Sequence, residues 1–153
     1  VLEILAAFIK LRRSLSLAHV QCTKPLGLGS KQAHLLRVLH ACGPCSAGSL
    51  ARATVSDPAA IHRAVGVLVK KGLVLRTADS KDGRRCSLRL SAAGETMALE
   101  VLKRTERLAQ DAFSALDETR RALFLEDLRA VAAHVDARLA PLRTPGEEPH
   151  DEA

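Results

Sequence analysis

Cys42-Gly43-Pro44-Cys45 places two thiols with two residues between them, the spacing of a dithiol that exchanges with disulfides. That chemistry needs a thiolate at a helix N-terminus, reached from a strand. Cys45 does precede a helix, with Ser46 as its cap, but Cys42, the expected nucleophile, ends the helix "KQAHLLRVLHA". No alternation of strand and helix surrounds the pair, and Gly43-Pro44 is equally well explained as the stop between two helices. With Cys22 and Cys86 the chain has four thiols, all of them candidates for oxidation sensing. Cys22 closes the first helical segment, and modification of Cys86 would disturb the basic turn beside it. A zinc set drawn from His34, His40, Cys42 and Cys45 follows no standard ligand spacing. No Ser/His/Asp set, phosphate-binding glycine loop or carboxylate pair stands out, so neither enzyme activity, a metal nor a cofactor is expected.

A second constellation is cationic. In "DPAAIHRAVGVLVKKG", Asp57 to Gly72, Ile61, Val65 and Leu68 recur at i, i+4 and i+7 with Ala64 beside them, one buried helical stripe. The opposite face presents Ala59, His62, Arg63, Gly66 and Lys70. Small residues mixed with His and Arg suit a helix laid in a DNA major groove. Arg63 can donate to guanine O6 and N7, Ala59 can meet a thymine methyl, and Lys70 can hold a phosphate. Farther on, Asp82-Gly83 is a hairpin dipeptide, and its tip carries Lys81, Arg84 and Arg85, placed to reach a neighbouring minor groove.

The elements that must position these groups follow from pattern and punctuation. A helix is expected from Val1 to about Gln21, broken by Pro25, Gly27 and Gly29. Ser30 is expected to cap a second helix, Ser46 a short third and Asp57-Pro58 a fourth that ends at Gly72. "LVLRTA" and "CSLRLS" are β-leaning runs on either side of the Asp-Gly turn. Ser91 opens a long helix to about Leu116. Asp117 caps another, in which Phe124, Leu128, Val131, Val135 and Leu139 form a nearly heptad stripe. The fold class is therefore mainly α with a small β-hairpin wing, a winged helix-turn-helix plus a helical dimerisation region. One domain spans 1–140, with the DNA-binding module at 30–91 and dimerisation helices at 1–21 and 92–140; residues 141–153 read as a disordered acidic tail. The outer helices hold more apolar surface than so small a module can cover, which points to a homodimer.

Composition narrows the partners. The net charge is +6, but the tail from Pro141 nets −3, leaving the other 140 residues near +9, a balance that favours an anionic partner. With no Trp or Tyr and three Phe, base-stacking platforms for single strands are scarce. Four irregularly spaced cysteines do not make a secreted disulfide scaffold. No apolar run reaches the ~18 residues of a membrane span, and "VLEILAAFIKLRR" lacks the cleavage site of a leader. No membrane is expected, and the cytoplasm is the expected compartment.

The stretch "LARATVSDPAAIHRAVGVLVKKGLVLRTADSKDGRRCSLRLSAAG", Leu50 to Gly94, resembles the multiple-antibiotic-resistance regulator (MarR) family of bacterial transcription factors. The resemblance rests on Leu50-Ala51, the capped Pro58 start, Leu68 followed by Gly72-Leu73-Val74, the Asp82-x-Arg84 wing, and "LSAAG" where that family has Leu-Thr-x-x-Gly. It implies a homodimer on a palindromic operator in double-stranded DNA, most often a repressor, controlled by a small ligand such as an aromatic acid or by an oxidant. By position, Ala59, Ala60, His62 and Arg63 would face the groove, Arg84 would enter the minor groove, and Asp82 would orient the wing. Ala59 and Ala60 replace the Ser or Thr usual after the helix-start Pro, which makes contacts there apolar. His62 stands where Ser is frequent, and its protonation on acidification would add a charge to this face. Arg13, His19 and His34 are the candidate effector residues. Two other functions fit the same features, a thiol-based redox-sensing regulator and a dimeric helical adaptor for an acidic protein.

Overall fold

The structure of the protein is a computed structural model describing residues 1–54, 56–78 and 86–139. Along the chain come α1 (Leu2–Thr23), a 3-10 turn (Lys24–Leu26), α2 (Ser30–Cys42), β1 (Cys45–Ser46), α3 (Ala47–Ala53), α4 (Pro58–Lys70), β2 (Val74–Ala78), β3 (Cys86–Leu90), α5 (Ala92–Phe113) and α6 (Glu118–Leu139). They divide into two compact units, Val1–Leu108 and Ala109–Ala153.

Local chemistry sets the helix ends. Asp57 Oδ2 accepts from the Ala60 N–H at 3.0 Å, Ser46 Oγ from the Ser49 N–H at 3.1 Å, and Asp117 Oδ1 from the Arg120 N–H at 2.9 Å, each satisfying an orphan donor of a first turn. Ser30 departs from expectation. It is the first residue of α2, and Gly29 holds the cap position, its N–H donating to Gln32 Oε1 at 3.2 Å. A side chain reaching back from the third helical residue thus replaces the serine cap. At the other end of α4, Gly72 takes φ +70; its N–H reaches Val69 O and the Leu73 N–H reaches Leu68 O, the paired closure that a left-handed glycine allows. Asp57→Ala should cost about 1 kcal/mol of stability, read as a lower urea midpoint with an unchanged slope.

The three strands form an antiparallel sheet in the order β1-β3-β2, with Cys45 opposite Leu88 and Val74 opposite Leu90. The β2–β3 pairing falls on the two expected β-leaning runs. β1 is an addition, because two residues are too few to show a period-2 pattern in sequence.

The core is entirely aliphatic. Leu35, Leu36, Leu50, Ile61 and Leu68 are fully buried, and Ala33 and Ala98 let neighbouring elements approach closely. At Gly94, in the first turn of α5, a Cβ would stand 1.9 Å from the Leu73 carbonyl oxygen. Ser91 fixes this junction: its N–H donates to Leu73 O, its Oγ donates to Gly72 O at 2.6 Å, and the same Oγ accepts from the Gly94 N–H at 3.0 Å. "LSAAG" is thus the seat that joins α5 to the start of β2.

Two helices keep their apolar residues outside. α1 buries only Thr23, leaving Leu2, Ile4, Leu5, Phe8 and Ile9 exposed. α6 buries none of its residues, and Val131, Val135 and Leu139 of its stripe are exposed. In the second unit the Phe113 and Phe124 rings pack with centroids 6.2 Å apart.

Candidate nucleic-acid interface

α4 separates its two faces as its periodicity predicts. Ile61, Val65 and Leu68 point into the core at no more than 1% exposure. Ala59, His62, Arg63 and Lys70 are exposed together, whereas Ala60 is half-buried, with its N–H engaged by Asp57. Gly66, midway along this outer side, has nothing within 4 Å of where a Cβ would stand, so the face is low at its centre. The result is a helix with small residues near its start, Arg63 and His62 beside them, and Lys70 near its end. A cationic face of this kind can enter a groove and donate to base edges and phosphates.

The hairpin adds cations along its strands. Arg76 on β2 and Arg89 on β3 are exposed, in a register that pairs Leu75 with Arg89 and Arg76 with Leu88. Asp82, Arg84 and Arg85 of the expected wing tip lie outside the described residues, as does the segment 141–153.

Several positioning residues leave no mark in the sequence. Lys31 Nζ, in the first turn of α2, donates to Ser56 Oγ at 3.2 Å in the turn that leads into α4. Lys71 Nζ donates to the Gly27 carbonyl, tying the end of α4 to the loop after α1. In α3, Arg52 Nη2 donates to Ser49 Oγ at 3.3 Å, and that hydroxyl lies 3.0 Å from Ser46 Oγ. Lys31 and Ser56, like Lys71 and Gly27, meet only through the fold, and no periodicity or turn dipeptide announces them.

The cysteines lie at three places, Cys22 near the end of α1, Cys42 and Cys45 on either side of the turn from α2 to β1, and Cys86 at the start of β3. Cys22, Cys42 and Cys45 are free thiols; the Cys22 thiol donates to His19 O at 3.2 Å, and Cys86 is the first residue of β3. Burial and the neighbouring Cys42 push the Cys45 thiol up, the opposite of an activated nucleophile. His40 Nδ1 lies 2.8 Å from Glu95 Oε2. Among the described residues no group of three or more His, Cys, Asp or Glu could hold a metal ion.

Of the residues considered for an effector, Arg13 and His34 are exposed and His19 is half-buried. Burial and the nearby Arg37 hold His19 below its ordinary value of 6.5. The unfolded chain therefore takes up this proton first. The stability contributed by neutral His19 is present above pH 6.5 and is lost as pH falls through 6.5 toward the folded value. His19→Gln should flatten the pH dependence of urea unfolding below pH 6.5, where the wild type weakens on acidification.

A capped, two-faced α4 packed on α3, followed by an antiparallel hairpin, defines the winged helix-turn-helix class of transcriptional regulators. The MarR family profile matches residues 26–85. A probable transcriptional regulator from Pseudomonas aeruginosa is 30% identical, with 84% of this chain and 93% of that one aligned at a TM-score of 0.70. MepR from S. aureus, solved in complex with DNA, is 19% identical over 84% of this chain and 96% of its own, with a TM-score of 0.76. BpsR from Bordetella bronchiseptica, whose DNA binding is regulated by 6-hydroxynicotinic acid, is 21% identical over 85% of this chain and 98% of its own, also at 0.76. The chain belongs to the MarR family. No helix among the described residues is long and apolar enough to cross a membrane.

Proposed function

We propose that this chain is a homodimeric, sequence-specific repressor that binds a palindromic operator in double-stranded DNA and is released by a small aromatic acid. The observation that carries the proposal is the exposed set Ala59, His62, Arg63 and Lys70 on one side of a helix anchored at both ends. α4 would lie in the major groove, with Arg63 and His62 as its polar readers, Ala59 and Ala60 making apolar contacts, and Lys70 on a phosphate. Arg84 and Arg85 would reach the flanking minor groove, with Asp82 orienting the wing. The DNA complex of MepR supports this docking, and the regulation of BpsR by 6-hydroxynicotinic acid supports an acidic aromatic effector. The exposed apolar residues of α1 and of α6 support a second copy as the partner that covers them. The cytoplasm is where such a regulator would meet its operator.

Selection of bound duplexes from a random pool tests the proposal. The expected product is an inverted repeat whose half-sites lie about one helical turn apart, 34–36 Å, with an affinity that falls steeply with salt. Recovery of unrelated sequences without a repeat would sink it and favour an acidic protein as the partner of the basic face.

A further inference from the structure

The Cys42–Cys45 turn is chemistry that DNA binding leaves unused. α2 ends at Cys42, Gly43 turns the chain with φ +71, and Cys45 enters β1 opposite Leu88 of β3. Both thiols are free; Cys42 is exposed and Cys45 half-buried. Cys42 and Cys45 stand three positions apart, on either side of the two-residue Gly43-Pro44 turn. On the side of Gly43 where a Cβ would stand, nothing lies within 4 Å, so the turn has open space beside it. The nearest histidine in sequence, His40, is engaged by Glu95, and no third His, Cys, Asp or Glu completes a metal cluster among the described residues.

Two thiols without a third ligand suit few ions. Zinc takes four ligands in structural sites, and calcium and magnesium take oxygen. Thiolates select soft ions, Cu(I) among them, and a monovalent d10 ion is satisfied by two sulfurs in a linear arrangement. We propose that Cys42 and Cys45 form a two-coordinate site for a thiophilic monovalent cation, with Cu(I) as its probe. Each thiol loses its proton to solvent as its sulfur–copper bond forms, and copper stays in the +1 state throughout. The bound ion links the end of α2 to β1 and, through the Cys45–Leu88 pairing, to the strand that leads out of the wing. The site stands independently of the DNA-binding proposal.

The test is anaerobic competition between the reduced full-length chain and bicinchoninate for Cu(I), read as loss of the coloured chelate. The wild type should withdraw about one equivalent per chain. Cys42→Ser and Cys45→Ser should each weaken withdrawal by at least ~10-fold, while Cys22→Ser and Cys86→Ser should match the wild type. Cys42→Ala serves as a second variant at the exposed position, and thermal melts by circular dichroism establish that each variant is folded. Copper that stays on the chelator, a Cys42/Cys45 double variant that still withdraws it, or a loss on Cys22→Ser or Cys86→Ser would each overturn the site. So would Zn(II) binding to the same pair with similar affinity, because a two-sulfur site does not satisfy zinc.

Discussion

Gly94→Ala should lower the unfolding free energy by about 3 kcal/mol or more. The direction is the informative part, because Gly to Ala within a helix ordinarily stabilises by about 0.5–1 kcal/mol. Here the added methyl would stand 1.9 Å from the Leu73 carbonyl oxygen, and that oxygen cannot retreat freely. It accepts from the Ser91 N–H, while the Ser91 hydroxyl holds both the Gly72 carbonyl and the Gly94 N–H. Relief therefore means moving α5 off β2 and losing those bonds together. Gly66→Ala provides the contrast, since that site has no neighbour within 4 Å, and it should gain about 0.5–1 kcal/mol. Urea denaturation followed by circular dichroism measures both. A Gly94→Ala protein as stable as the wild type would show that α5 does not sit this close to β2.

The contrast between these glycines marks where sequence reasoning reaches and where it stops. Asp57, Ser46 and Gly72 were legible because capping and left-handed closure are chemistry between residues a few positions apart. The inward stripe of α4 was legible because a 3.6-residue period survives in any alphabet of apolar residues. Gly94 appeared in sequence only as part of a family motif; its physical reason is contact with a backbone oxygen 21 positions earlier. β1 left no pattern, and Ser30 is the first helical residue rather than the cap, with Gly29 at the cap position and Gln32 Oε1 reaching back to its N–H. Lys71, which neighbours Lys70 in the sequence, serves a different end, since it is bound to Gly27 at a separation of 44 residues. The apolar residues of α1 and α6 are legible as apolar in the sequence, and among the described residues most of them stay exposed.

Arg63→Ala and Lys70→Ala should separate base reading from phosphate holding on one helix. Both side chains are exposed on α4, so neither change should alter stability by more than about 0.5 kcal/mol, and losses in binding can be assigned to the interface. A guanidinium on guanine O6 and N7 is worth about 1–3 kcal/mol of discrimination against the wrong base. Arg63→Ala should therefore weaken binding to the selected operator by roughly 5- to 150-fold per half-site while changing affinity for a random duplex far less. A lysine on a phosphate carries no sequence information. Lys70→Ala should weaken both duplexes alike and lower the salt-dependence slope by about 0.9 per half-site. Fluorescence anisotropy on the two duplexes at several salt concentrations measures affinity, preference and slope together. Equal losses on both duplexes for both variants would remove Arg63 from base reading and leave α4 as a purely electrostatic surface. A slope unchanged by Lys70→Ala would mean that its charge meets solvent in the complex, and that the phosphate grip lies with other cations such as Lys31, Arg52 or Arg76.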